Sequence, residues 1–388
     1  MAFEFIDQQL AQRQSQSRYR QRVSIAAAAG REVVIAGKSY LNFSSNDYLG
    51  LNNHPEINRA MQEGIDRFGL CASGSSLITG FSYAHQVLEQ QICQWLNKPR
   101  CLLFSSGFAA NTGVLQALGQ HKCHFLLDKL CHASLIDGAL GACDGGKTSG
   151  GKASMKRFRH NDIEQLEGFL KCSPGDDNLI VSEGVFSMDG DQAEIKKLSA
   201  LAKNAKAWLY LDDAHSIGVI GRQGQGSVSQ GDVDIVMATF GKAIASSGAF
   251  IACDENLFEY LVNFSRHYIY STAISPAVAW ATVKSIELIQ KEQWRRDKIA
   301  QLSFSLSQAL DPRITLAPTE SSIHALIIGD EASALAVSEK LKKKGIWLTA
   351  IRPPTVPVNS SRLRVTICAN HNNNDIKYLA ACLNEALG

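Results

Sequence analysis

The chain has 388 residues, 39 basic against 37 acidic side chains, and ten cysteines. Its length exceeds the usual single core, so one large and one smaller domain are expected, and the near balance of charge without a basic run interleaved with aromatics argues against nucleic-acid binding. No Cys-x-x-Cys pair or repeated His/Cys spacing occurs, so no metal site is expected; acidic residues near Met1 and the lack of a membrane-length apolar stretch predict a soluble, cytoplasmic protein.

Glu4 to Arg22 is polar with apolar Phe5, Ile6 and Leu10, which predicts an amphipathic helix lying over the main body. Val33 to Phe43 alternates weakly and reads as a hairpin, followed by the turn-rich run Ser44 to Gly50. From Cys101 onward, short apolar runs alternate with helical patterns. Cys101 to Phe104, Phe125 to Leu127, Leu179 to Val181, Ala207 to Leu211, Ile235 to Ala238 and Ala249 to Ala252 read as buried strands. Ile195, Leu198, Leu201, Ala202 and Ala205 mark one helix face between them, giving a doubly wound α/β pattern. Gly141 to Lys152, rich in Gly, Lys, Ser and Thr, reads as a mobile surface loop. Trp280 to Lys298 reads as one long helix leaving the sheet. Beyond it, Ile323 to Ile328, Ser333 to Lys344, Ile346 to Ile351, Leu363 to Ile367 and Asn374 to Leu387 give strand, helix, strand, strand, helix. The expected organisation is an N-terminal helix and hairpin segment over residues 1–45, a large domain over 46–285 and a small C-terminal α/β domain over 286–388.

The chemistry gathers at strand ends. One apolar run closes on Asp212, Asp213, Ala214 and His215, and the next on Thr239, Phe240, Gly241 and Lys242. Sites of parallel sheets lie beyond those ends. A desolvated lysine there is suited to a Schiff base with an aldehyde, and an aspartate beside it to holding a pyridinium nitrogen protonated; together they suggest pyridoxal phosphate. Taken singly, the same residues also suit a helix cap and a solvated amine. Ser105, Ser106, Gly107 and Phe108 follow a strand and open a helix, where free backbone N–H groups suit a phosphate or plain capping. His132 follows another strand, placed either to stack on a cofactor or to serve as a core histidine. Glu183 and Ser187 leave a further strand end; Ser187 and His215 suit a phenolate oxygen, and Thr239 a phosphate. Arg362 and Arg364 share one strand face, and either suits a substrate carboxylate. The glycine-rich segment Gly221 to Gly226 lacks the strand-to-helix context of a nucleotide fingerprint.

Asn42 to Gly50, Asp128 to Ser134, Glu183 to Gly190, Asp212 to His215, Thr239 to Lys242 and Ile351 to Pro357 resemble, in order, the α-oxoamine synthases. The resemblance runs from about Arg20 to the C-terminus. It implies a homodimer of the fold type I, aspartate aminotransferase-like class of pyridoxal-phosphate enzymes: a large, mostly parallel α/β sheet domain with a smaller C-terminal α/β domain. Residue by residue it implies Lys242 as the Schiff-base lysine, Asp212 as partner of the pyridinium nitrogen and His132 as the stacking ring. Ser187 and His215 match neighbours of the phenolate oxygen, Gly107 and Phe108 the phosphate loop, and Thr239 a further phosphate contact. Ser271 and Thr272 match the pair reaching the partner subunit's phosphate. Arg364 matches the binder of the amino-acid carboxylate, Arg20 and Thr355 positions near the acyl substrate, and Asn46 and Glu183 positions near the reacting centre.

Ser44 to Gly50, Gly80 to His85 and Arg352 to Pro357 favour, within the family, the member that joins L-alanine to a pimeloyl thioester, on acyl carrier protein or coenzyme A, in biotin synthesis. Sister members condense glycine with acetyl- or succinyl-CoA, or serine with a long acyl-CoA. The chain departs from the family pattern in Cys71 to Gly80 and at Ala245, where a glycine is frequent.

Overall fold

The computed structural model describes residues 2–149, 153–173, 177–314, 316–317 and 319–387. The chain divides into two compact units, one formed by residues 51–187 and 192–293, the other by residues 1–50, 188–191 and 294–388.

The first unit is built on seven strands: β1 (Arg100–Phe104), β2 (His124–Asp128), β3 (Ser154–Phe158), β4 (Asn178–Glu183), β5 (Trp208–Asp212), β6 (Ile235–Thr239) and β7 (Ala249–Cys253). Their order is β1-β7-β6-β5-β4-β2-β3. Strands β2 to β6 run parallel, and β7 is antiparallel to both of its neighbours. Alternation sorts the apolar runs onto two faces. Leu102 and Phe104, Phe125 and Leu127, Leu179 and Val181, and Ile235 and Met237 enter one core with Val114, Leu115, Leu135 and Ala139 of flanking helices. The intervening Leu103, Leu126, Ile180, Leu209 and Val236 are buried as well. A sheet covered on both faces explains why its strands read as unbroken apolar runs.

β3 escapes that reading because Lys156 and Arg157 are exposed and it pairs only with β2, at the sheet edge. Helix α1 spans Gly107–Leu118 and helix α2 spans Ala133–Ser149. The loop expected from Gly141 is therefore corrected: residues as far as Ser149 are helical, and 150–152 lie outside the described residues. Two glycines ahead of that run serve close packing of α1 against α2. A Cβ on Gly138 would come within 3.1 Å of the Thr112 Cα, and one on Gly119 within 2.4 Å of the Ala142 Cβ. The single helix expected over Trp280 to Lys298 is two, Pro276–Lys291 and Gln293–Ala309, broken at Glu292.

In the second unit the expected hairpin forms from Glu32–Ile35 and Lys38–Asn42, joined in parallel by Ile346–Trp347. Ala350–Ile351 instead joins Ser361–Thr366 and Ile323–Gly329, so the run read as one strand is split between two sheets. The N-terminal helix, Phe5–Ser15, buries none of its residues; Phe5, Ile6 and Leu10 are exposed, which corrects the expectation of an apolar face packed on the body. Among the described residues no helix is long and apolar enough to cross a membrane.

Candidate active site

In the first unit, the carboxyl ends of β2, β4, β5 and β6 and the first turn of α1 line a cavity of about 190 Å3. Its walls are Gly107, Phe108, Asn111, His132, Ser134, Glu183, Asp212, Ala214, His215, Met237, Thr239 and Lys242. A larger cavity of about 400 Å3 lies at the opposite, amino-terminal ends of the same strands, around Phe125, Asn178 and Trp208, and holds none of the expected site residues. Chemistry, not size, identifies the site.

The parallel register of β5 and β6 pairs Asp212 with Met237, bringing the two chemistry-bearing turns side by side. Lys242 Nζ lies 2.6 Å from His215 Nε2. Asp212 accepts from the Asn111 amide (Oδ2, 2.8 Å) and from the Ala214 N–H (Oδ1, 3.1 Å), and is almost fully buried. His132 donates its backbone N–H to Glu183 Oε1 at 2.5 Å. Burial pushes the Glu183 carboxyl well above its ordinary range, and the Asp212 charge adds to the rise.

The first turn of α1 faces the cavity with unused N–H groups at Gly107 and Phe108, while Ser106 Oγ caps the Ala109 N–H at 3.1 Å. A Cβ at Gly107 would meet only ordinary neighbours, Met237 Cε at 3.6 Å being nearest. Chain packing therefore does not demand glycine there; its bareness keeps the backbone open to the cavity. Thr239 donates its hydroxyl to the Gly248 carbonyl at 3.0 Å, so its oxygen rather than its hydrogen faces other partners. Ser187, Ser271 and Thr272 do not line this cavity. Thr272 bridges Ser75, and the Ala273 N–H donates to the Gly74 carbonyl at 3.0 Å.

The second unit holds the other four expected residues. Arg362 is committed to an ion pair with Asp189. Arg364 donates through Nη2 to Asn46 Oδ1 and the Tyr48 hydroxyl, both at 3.2 Å, and its buried Nε has no hydrogen-bond partner among the described residues. Of the two arginines, Arg364 is the one without a carboxylate partner among the described residues. Arg20 Nη2 donates to Thr355 Oγ1 at 2.9 Å, beside Arg18 and Arg352.

Asn111, Ser134 and Tyr210 were not singled out by sequence reasoning, yet they hold Asp212 and His132 in place. Their signal was a polar side chain inside an apolar run, at Asn111 in α1 and at Tyr210 in β5. An amine, a buried carboxylate and an open helix start around one small cavity fit an aldehyde-bearing, phosphorylated pyridine such as pyridoxal phosphate.

Comparison with known proteins agrees. Residues 38–383 match the family model for class I and II aminotransferases. An 8-amino-7-oxononanoate synthase of Photobacterium profundum is 45% identical over 384 residues, covering 97% of this chain and 95% of that protein. Among solved structures, a serine palmitoyltransferase from S. paucimobilis bearing pyridoxal phosphate and myriocin superposes with a TM-score of 0.90 at 27% identity, covering 99% of this chain and 97% of that one. An 8-amino-7-oxononanoate synthase of Francisella tularensis superposes with a TM-score of 0.74 at 28% identity, covering 89% and 97%. Site and relatives together make the chain a pyridoxal-phosphate-dependent acyltransferase that belongs to the class I and II aminotransferase family and, within it, to the α-oxoamine synthases.

Proposed function

We propose that the enzyme condenses L-alanine with a pimeloyl thioester, carried on acyl carrier protein or coenzyme A, releasing carbon dioxide and the free thiol and yielding 8-amino-7-oxononanoate for biotin synthesis. The observation that carries the chemistry is the Lys242 amine sharing one small cavity with the Asp212 carboxylate and the open first turn of α1. The 45% identity over nearly the whole chain supports the choice of substrates.

When bound, pyridoxal phosphate supplies an electron sink for a carbanion at the amino acid Cα. Lys242 would hold the cofactor through its amine, and that amine, with His215 against it, would serve as the base that takes the Cα proton and returns it. Asp212 would keep a proton on the pyridine nitrogen, and His132 would lie against the ring. Gly107 and Phe108 offer N–H groups to the phosphate, and Thr239 a hydroxyl once it leaves Gly248. His215, in the cavity wall, would stand by the phenolic oxygen; Ser187 is outside the lining, and its place beside that oxygen rests on the resemblance alone. Arg364 would hold the alanine carboxylate through its guanidinium, fixing the orientation of the amino acid. Arg20 and Thr355 receive the acyl chain, and Asn46 and Glu183 stand near the reacting atoms.

A homodimer completes this reading, Ser271 and Thr272 reaching the partner's phosphate. Its support is an apolar surface around a single π-helical turn, Ser76–Gly80, where Leu77, Ile78, Phe81, Tyr83 and Tyr270 are all exposed. A cytoplasmic location is supported by ten cysteines that are all free thiols.

The test is thiol release from a pimeloyl thioester with L-alanine, glycine or L-serine as partner. Preference for alanine, abolished by Lys242→Ala in a protein that still folds, is the expected result. The high TM-score to serine palmitoyltransferase favours a sister synthase as the second reading, and a preference for serine with a long acyl-CoA, or for glycine with acetyl- or succinyl-CoA, would establish it.

A further inference from the structure

Behind the cavity wall runs a buried chain of hydrogen bonds whose directions are fixed by chemistry. It starts at Tyr210, whose hydroxyl lies 2.6 Å from Asn111 Oδ1. Burial, and then the Asp212 charge, raise this phenol well above its ordinary range, so it keeps its hydrogen and donates. The amide oxygen of Asn111 is thereby turned toward Tyr210. Its NH2 faces two acceptors, Asp212 Oδ2 and Ser134 Oγ, each at 2.8 Å. A flipped amide would set its oxygen against the Asp212 carboxylate and its NH2 against a hydroxyl donor, so only one orientation satisfies all three neighbours.

Direction then passes to His132. Ser134 Oγ receives a hydrogen from Asn111, and its own points at His132 Nδ1, 2.7 Å away. The Ser134 backbone N–H also donates to that ring nitrogen, at 3.2 Å. A nitrogen facing two donors must present its lone pair. The ring hydrogen therefore sits on Nε2, which has no hydrogen-bond partner among the described residues. Tyr210, Asn111 and Ser134 are all buried to within a percent or so of complete, so water does not compete for these groups.

We propose that Asn111, seated by Tyr210, is a positioning residue that locks His132 through Ser134 in the tautomer bearing its hydrogen on Nε2. One amide thus couples the His132 ring to the Asp212 carboxylate. The inference rests on the proposed roles of His132 and Asp212, but its observable does not depend on which substrates are used.

The experiment is 15N NMR of the holoenzyme labelled at histidine, with the His132 ring identified by loss of its signals in His132→Gln. The wild type should show a bare Nδ1 and a protonated Nε2. In Asn111→Asp, studied at a pH where the new carboxyl is ionised, Ser134 receives no hydrogen, so the hydroxyl turns toward the carboxylate and Nδ1 takes a proton. Its resonance should then move from the unprotonated to the protonated region. Ser134→Ala removes the hydroxyl while leaving the amide in place, and should give a mixture of tautomers. A merely structural role for Asn111 would lower yield or cofactor content without moving the ring signals. A wild-type ring protonated on Nδ1, or a folded Asn111→Asp with Nδ1 unchanged, overturns the proposal; if that variant does not fold, an unchanged ring in Ser134→Ala does so. Loss of turnover on L-alanine with the wild-type tautomer as stated would instead count against the substrate assignment alone.

Discussion

Asp213, the residue after Asp212, is fully buried, and burial lifts its carboxyl from 3.8 to about 7 against the hydrogen bond from Ser216. The folded value lies above the unfolded one, so the folded chain holds the proton more tightly, and stability falls as pH rises from about 4 to about 7. The full shift corresponds to roughly 4 kcal/mol, of which about 2.5 kcal/mol falls between about pH 5 and pH 8. Asp213→Asn keeps the shape and abolishes the titration. For a chain of this length 2.5 kcal/mol is about 3 °C in Tm. Thermal unfolding of the holoenzyme at the two pH values, at fixed protein and cofactor concentration, should therefore show the variant gaining about 3 °C on wild type at the alkaline end relative to the acid end. Parallel wild-type and variant curves would refute the reasoning, since the carboxyl would then titrate alike in the folded and unfolded chain.

Three further outcomes are expected. Gly226 has φ +81° and a Cβ there would lie 1.9 Å from Asp213 Oδ2, so Gly226→Ala should lose about 2–4 kcal/mol of stability in denaturant unfolding; a loss below about 1 kcal/mol would contradict the packing described. Ala245, three residues after Lys242, has φ +54°, a conformation natural to the family's frequent glycine, so Ala245→Gly should raise stability by up to about 1 kcal/mol and Ala245→Val should lower it; a Tm that falls with glycine refutes the strain. Tyr48→Phe removes one of the two acceptors of Arg364 Nη2, and steady-state kinetics should show KM for the amino acid rising roughly 5- to 10-fold with kcat and cofactor content little changed. A fall in kcat alone would place Tyr48 in a different role.

The strands were legible because a sheet buried on both faces leaves uninterrupted apolar runs, and Asp212 and Lys242 were legible because such runs end where they stand. β3 was not, since its exposed Lys156 and Arg157 carry no apolar run. Gly141 to Ser149 misled because glycine is read locally as a breaker, whereas the helix that begins at Ala133 continues through it. The split of Ile346 to Ile351 between two sheets depends on partners far along the chain. The strand pattern alone left Arg362 and Arg364 equivalent, the resemblance named Arg364, and the pairing of Arg362 with Asp189 was not legible; the chain from Tyr210 to His132 joins residues too far apart in sequence for spacing to connect them.

That separation bears on how the enzyme comes to exist. The walls of the cavity are contributed by α1, β2, β4, β5 and β6, from Gly107 to Lys242, and no contiguous stretch carries even the Lys242–His215 pair together with Asn111. The contacts that tie α1 and the strand ends to one another, such as Asn111 with Asp212 and His132 with Glu183, close long loops, and such contacts form late because chain entropy must be surrendered before they stabilise anything. A partly folded chain therefore offers no docking place for the cofactor, so pyridoxal phosphate acts by mass action on the finished sheet rather than as a nucleus for its assembly.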